Sequence, residues 1–204
     1  MPSNLSHVVL QYALEWFTVS HHNYDASMYH VVHLHWIAPN PETCKINFDG
    51  GRKSKTHLIR AGGLLRYSNS HGLKGFGINL GIGSILEAKL WSIFWRLTLA
   101  WDAGFRCVEV ESDASSVVSL LNSHVVPTNP LFSLVNCCKL KIRANWQCSI
   151  KHAFREQNYN ADALASMCFD FPFGFHLLDR APPFLSELLV ANASCVARPR
   201  QVVA

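Results

Sequence analysis

The chain has 204 residues, 49% hydrophobic and 16% charged, with a formal net charge of +4. It is too apolar for a disordered chain and long enough for one domain with extensions around a real core. No run of about 18 uncharged apolar residues occurs, which excludes a transmembrane helix.

Residues 1–44 hold three acids (Glu15, Asp25, Glu42) and no Lys or Arg, so neither a secretory signal nor an Arg-rich transit peptide is expected there. The basic excess falls in the remainder and suits a polyanionic partner, although a solvated basic surface explains it as well. The seven cysteines lack C-x-x-C spacing and include the adjacent Cys137 and Cys138, which points to a reducing compartment rather than a disulfide scaffold. Nuclear or cytoplasmic residence is expected, not secretion.

The first segment is aromatic and His-rich. His7 to Trp16 has the spacing of a short amphipathic helix. His30, His33 and His35 lie close together, but their spacing does not place all three on one helix face, and a metal site there is disfavoured. Residues 38–41 (APNP) read as a linker.

A regular pattern follows. Residues 44–49 (CKINFD) alternate as a strand. Residues 50–60 read as a basic loop, and 61–67 and 73–80 as two further strands of a meander. Ser84 and Glu87 form a capping box that opens a helix running to about Trp101, with Gly104 just past its end. Residues 107–111 (CVEVE) are a strand, and Ser112 or Asp113 caps a helix over 114–122. Another helix spans 131–143, a fifth strand 148–154 and a last helix 160–167. The fold class is α/β, a mixed five-stranded sheet with helices on both faces. Beyond residue 170 prolines punctuate the chain, with one short helix near 185–190.

Three aspartates stand at ends of elements. If the first and fourth strands are parallel neighbours, Asp49 and Asp113 enter one crevice, and the last helix can bring Asp162 beside them. Converging carboxylates repel unless a cation neutralises them, and hard divalent ions with oxygen ligands suit such a site. Each also has a plainer reading: Asp49 as a turn residue, Asp113 as a cap, and Asp162 as a favourable charge at a helix N-terminus.

The runs KINFDGG, AGGLLR, SILEAKLWSIFWRLTLAWDAGFRCVEVESDASSVVSLL and KHAFREQNYNADALASM occur in unbroken order between Cys44 and Met167. This series resembles the plant ribonuclease H-like domains, the type 1 ribonuclease H fold associated with retrotransposon-derived reverse transcriptase proteins. The resemblance divides the chain into a linker (1–43), a ribonuclease H type 1 domain (44–169) and a C-terminal extension (170–204). It implies hydrolysis of the RNA strand of RNA–DNA hybrids by two Mg²⁺ ions, with Mn²⁺ as a substitute, held by a D-E-D-D set. Asp49, Asp113 and Asp162 match the first, third and fourth positions as catalytic and metal-binding residues. His152 matches the histidine that assists proton transfer or product release.

The second position departs from the family. Ala88-Lys89-Leu90-Trp91 stands where members read A-E-L-W, so Lys89 occupies a ligand position. Glu87 lies about 200° around the helix from Lys89 and cannot take over. An ammonium about 4 Å from a divalent ion is repelled by roughly 8 kcal/mol at an effective dielectric near 20, although a lysine can swing its head outward. Hydrolysis is therefore expected to be severely weakened or absent.

For nucleic-acid binding the candidates are Gly50, Gly51 and Arg52 in the basic loop, with Asn79, Ser84 and Asn158 near element ends. Trp91, Trp95 and Trp101 read as core rather than as a stacking platform. Three classes stay open: a metal-dependent hybrid ribonuclease, a non-catalytic nucleic-acid-binding remnant of a retroelement, and an interaction domain reusing the fold. A monomer without membrane association is expected.

Overall fold

The computed structural model describes residues 29–67, 72–179 and 182–203; the helix expected over His7 to Trp16 lies outside them. In chain order the elements are β1 (Tyr29–Leu34), β2 (Cys44–Arg52), β3 (Leu58–Arg66), β4 (Gly72–Ile82), α1 (Ile85–Asp102), β5 (Cys107–Ser112), α2 (Ser115–Asn122), α3 (Phe132–Ile142), β6 (Gln147–His152), α4 (Tyr159–Met167), β7 (Gly174–Leu178), α5 (Pro183–Ala193) and β8 (Arg198–Val203). The described residues fall into two units, one of Leu34–Arg198 and one holding residues 29–33 and 199–203. β1 and β8 form a separate two-stranded sheet. No described helix is long and apolar enough to cross a membrane.

The main sheet has the order β6-β5-β2-β3-β4-β7. β2 is antiparallel to β3 and parallel to β5, with Cys44 opposite Val108 and Asn47 opposite Glu111. β5 and β6 are also parallel, and β4 is antiparallel to both β3 and β7. The sheet is therefore mixed, but it has six strands rather than five. The extra edge strand, β7, comes from the C-terminal extension, where its Phe175 stacks on Phe76 at 5.4 Å. The expected loop over 50–60 shrinks to residues 53–57, because β2 and β3 pair as far as Arg52 opposite Ile59.

Alternation along each strand splits the sheet into two faces. Ile46, Phe48, Leu65, Val108 and Val110 pack with Leu90, Ile93 and Leu97 of α1 and with Val117 and Val135 of the next two helices. Trp95 meets Phe175 at 4.9 Å and Trp101 meets Trp146 at 5.3 Å, so both serve packing. On the other face, Leu64 packs with Leu164 of α4 and Leu185 of α5.

That second face carries a buried polar group beside its apolar part. Lys45 Nζ donates to the Ile37 carbonyl at 2.7 Å and pairs with Glu111 at 2.6 Å and Glu109 at 2.8 Å. Asn47 bonds Glu111 Oε2 at 3.0 Å and accepts from Trp36 Nε1 at 3.0 Å and from the buried Arg66. Trp36 covers these charges, with its ring 4.0 Å from the Arg66 guanidinium. Gln157 holds the same strap through the His35 carbonyl at 3.2 Å. The residues just before Cys44 thus seal part of the folded unit.

Trp36→Ala is expected to lower stability by about 3–5 kcal/mol, because it opens a cavity above the buried charges and removes the Trp36 N–H from Asn47. Urea denaturation reads this directly. A midpoint equal to that of the unmodified chain would show that the strap contributes nothing.

Candidate functional site

Asp49 lies inside β2 rather than in a turn, buried at 8% exposure. Asp113 follows the C-terminal end of β5, the parallel neighbour of β2, so both carboxylates leave the same end of the sheet. Asp113 does not cap the next helix. Ser112 Oγ accepts the Ala114 N–H at 3.2 Å instead, and the cap residue Ala114 makes no side-chain capping bond. Asp162 sits in the first turn of α4.

Two glycines allow these elements to close on one another. A Cβ on Gly50 would lie 2.8 Å from the backbone of Ala88 and Lys89, so the glycine lets α1 approach β2 directly at the Lys89 position. A Cβ on Gly62 would lie 2.8 Å from Ala165 N, which brings α4, and with it Asp162, onto the other face. The start of α1 is fixed by the capping box: Glu87 N–H donates to Ser84 Oγ at 3.1 Å, and Ser84 N–H donates to Glu87 Oε2 at 2.9 Å. Glu87 is thereby committed to the cap and points away from the aspartates.

Lys89 does not swing outward. Its Nζ lies 2.7 Å from Asp49 Oδ1 and 2.7 Å from Asp113 Oδ1, with the side chain only 13% exposed. Each contact is worth on the order of 5 kcal/mol at an effective dielectric near 20, before desolvation offsets much of it. Asp162 is near enough to act on the Asp49 carboxyl, and its Oδ2 accepts from Arg155 Nη2 at 3.0 Å. Burial pushes the Asp49 carboxyl up to about 6; Lys89 pulls it down, while Asp113 and Asp162 push it up. Lys89 is raised by the same two aspartates, which outweigh its own burial.

Asp49 and Asp113 therefore meet at Lys89, and Asp162 stands near enough to act on Asp49. The space between Asp49 and Asp113 is filled by an ammonium, and no described group of three His, Cys, Asp or Glu side chains is arranged to hold a metal ion. This applies to His30, His33 and His35 as well, which are all exposed. Divalent ions take oxygen ligands and need the space between those ligands. Here an ammonium holds the space between Asp49 and Asp113, and the donor set does not fit a pair of such ions.

The remaining candidates divide by what they touch. His152 ends β6 opposite Ser112, the residue before Asp113, and its ring meets Phe154 edge-on at 5.4 Å. Asn158 is buried and donates to the Phe48 carbonyl at 2.7 Å, so it positions the strand before Asp49 rather than presenting its amide to a ligand. Asn79 is similarly engaged, with the Phe171 carbonyl at 3.0 Å and the Gly81 N–H at 3.2 Å. Gly50 is a packing position and Ser84 a cap. Gly51 is partly exposed and Arg52 exposed at the end of β2, where Arg52 contacts His57. Arg60 lies against the Phe169 ring at 2.9 Å, with Lys53 at 4.3 Å from the same ring.

Arg155 was not indicated by the sequence. It reaches Asp162 from the turn before α4, and no helical or strand periodicity marks that contact. Lys45, Glu109 and Glu111 did carry a signal, since alternation places them on one face of adjoining strands.

The reverse transcriptase-like family profile matches residues 47–168. An Arabidopsis thaliana protein that carries a ribonuclease H name is 34% identical over 167 residues, which are 82% of this chain and 27% of that protein. The chain thus spans about a quarter of the length of that relative. Among solved structures, ribonuclease H1 of the halophilic archaeon Halobacterium salinarum superposes with a TM-score of 0.58 at 23% identity, covering 63% of this chain and 98% of the other. LC11 ribonuclease H1, isolated from compost and solved in complex with an RNA/DNA hybrid, gives a TM-score of 0.55 at 18% identity, covering 62% and 96%.

Asp49 holds its proton more tightly in the folded chain than in the unfolded one. Its contribution to stability is complete below about 3.8 and is lost as pH rises through about 6. Because Lys89 holds Asp49 down, Lys89→Met is expected to move the Asp49 midpoint further up, as read from the side-chain carboxyl ¹³C shift against pH. A midpoint that stays put or falls in the variant contradicts the contact.

Proposed function

The chain belongs to the reverse transcriptase-like family, whose fold is that of ribonuclease H, and from this we propose that it is a nucleic-acid-binding domain for RNA–DNA hybrids whose hydrolytic step is severely weakened or lost. The observation that carries the reading is Lys89 Nζ at 2.7 Å from both Asp49 and Asp113. Hydrolysis of a phosphodiester by divalent ions needs those ions where the attacking and leaving oxygens develop charge. Here that place is held by a cation that can neither generate a bound hydroxide nor accept four oxygen ligands.

Hybrid binding is supported by several features together. Arg52, Lys53, Lys55 and Arg60 are grouped on the β2–β3 hairpin beside the site, within a chain of net positive charge. Such groups contact phosphates, and the affinity they give falls as salt rises. Gly51 leaves backbone accessible next to them. The hybrid bound to LC11 ribonuclease H1 supplies the precedent for the ligand.

A second reading, a slow metal-dependent ribonuclease, draws on Asp49, Asp113 and Asp162 still meeting and on His152 at the same sheet end. In it, Mg²⁺ or Mn²⁺ enters by displacing Lys89.

The two readings separate in one assay. Purified chain and a Lys89→Glu variant are incubated with an RNA–DNA hybrid in Mg²⁺, and RNA fragments are followed over time. The expected result is no cleavage above background by the unmodified chain and metal-dependent cleavage by the variant. Equal turnover by both proteins contradicts the first reading.

A further inference from the structure

The charges around the aspartates balance without any ion from solution. Lys89 is set against Asp49 and Asp113, and Arg155 against Asp162 at 3.0 Å. A third cation, Arg60, sits on β3 opposite Gly51 in register and reaches Ser166 of α4 through Nη2 at 3.5 Å. Its Nε and Nη1 are shielded from solvent and make no hydrogen bond among the described residues. Three carboxylates thus face three cations, and the cations keep donors to spare. An ammonium has three N–H groups, of which Lys89 uses two on the aspartates. The Arg155 side chain is 67% exposed and its guanidinium has further N–H groups beyond the one on Asp162.

An acidic cluster alone repels a phosphodiester, and a soluble divalent ion must screen it before a nucleic-acid backbone can come close. A cluster already neutralised by tethered cations has no such requirement. The basic hairpin adds Arg52, Lys53 and Lys55 on the adjoining surface.

We propose that this site holds a backbone phosphate of the bound nucleic acid without any divalent ion, through the remaining N–H donors of Lys89 and Arg155, so that hybrid binding is independent of Mg²⁺. This rests on the reading of the chain as a hybrid-binding domain and adds how the central site takes part. Lys89 is then an anchoring residue rather than only a lost ligand. Arg155 holds the same phosphate from the α4 side, and Arg60, its free donors shielded, adds only its charge beside them.

The test measures binding of a fluorescent RNA–DNA hybrid by anisotropy in EDTA and in millimolar Mg²⁺ at matched ionic strength, with a gel of each sample confirming that the hybrid is intact. The unmodified chain is compared with Lys89→Glu, Lys89→Gln and Arg155→Gln, each checked for folding by its thermal melt. The unmodified chain is expected to bind equally in both buffers, within about threefold. Lys89→Glu is read in EDTA alone, because Mg²⁺ is expected to let it cleave the hybrid; there it is expected to bind at least about tenfold more weakly, since it restores like-charge juxtaposition. Lys89→Gln and Arg155→Gln, which remove one positive charge without adding a negative one, are expected to weaken binding in both buffers.

Binding by the unmodified chain that rises about tenfold on adding Mg²⁺ overturns the proposal and leaves hybrid binding intact. Equal binding by all four proteins also overturns it, because the central site then makes no contact. No binding by the unmodified chain in either buffer instead overturns the hybrid-binding reading itself.

Discussion

A single ammonium placed between one buried and one half-buried carboxylate organises the candidate site of this molecule. Asp49 and Asp113 come from parallel neighbouring strands, and without a cation their charges would drive those strand ends apart. Lys89 supplies that cation covalently, at 2.7 Å from each. A bound divalent ion carries twice the charge and accepts oxygen ligands; an ammonium carries one charge and only donates. On the function proposed above, the exchange keeps the neutralisation of the two carboxylates and gives up the Lewis acidity that phosphodiester hydrolysis requires.

The surrounding structure delivers Lys89 to that point. The capping box at Ser84 and Glu87 sets where α1 begins, and Gly50 lets its backbone approach β2 at the Lys89 position. Gly62 does the same for α4, which brings Asp162 and places Arg155 just before the helix. Around a neutralised centre of this kind, polyanion binding and hydrolysis are separate properties, because phosphate contacts need positive charge whereas water activation needs a metal.

Much of this was legible in the sequence, for identifiable reasons. Strand alternation at Cys44 to Asp49 and Cys107 to Glu111 and the S-x-x-E capping box act locally, and the elements they mark are present. The sixth strand was not legible, since Gly174 to Leu178 closely follows Pro172 and is a strand because the free edge of β4 pairs with it. The short hairpin over 53–57 was read as a long loop because polar residues can extend a ladder beyond the apolar pattern. The inward direction of Lys89 was also hidden. Sequence gives a lysine's position on a helix, but the choice between water and two carboxylates depends on distances that only the packed fold provides. The Trp36 strap and the Arg155 contact are likewise tertiary, each joining residues with no shared periodicity.

The most direct measurement of the central claim is the anomalous scattering of a crystal of the unmodified chain soaked in manganese. The account predicts no manganese peak between Asp49 and Asp113, with Lys89 Nζ remaining in contact with both. A manganese peak at that point, with the lysine turned out to solvent, would contradict it.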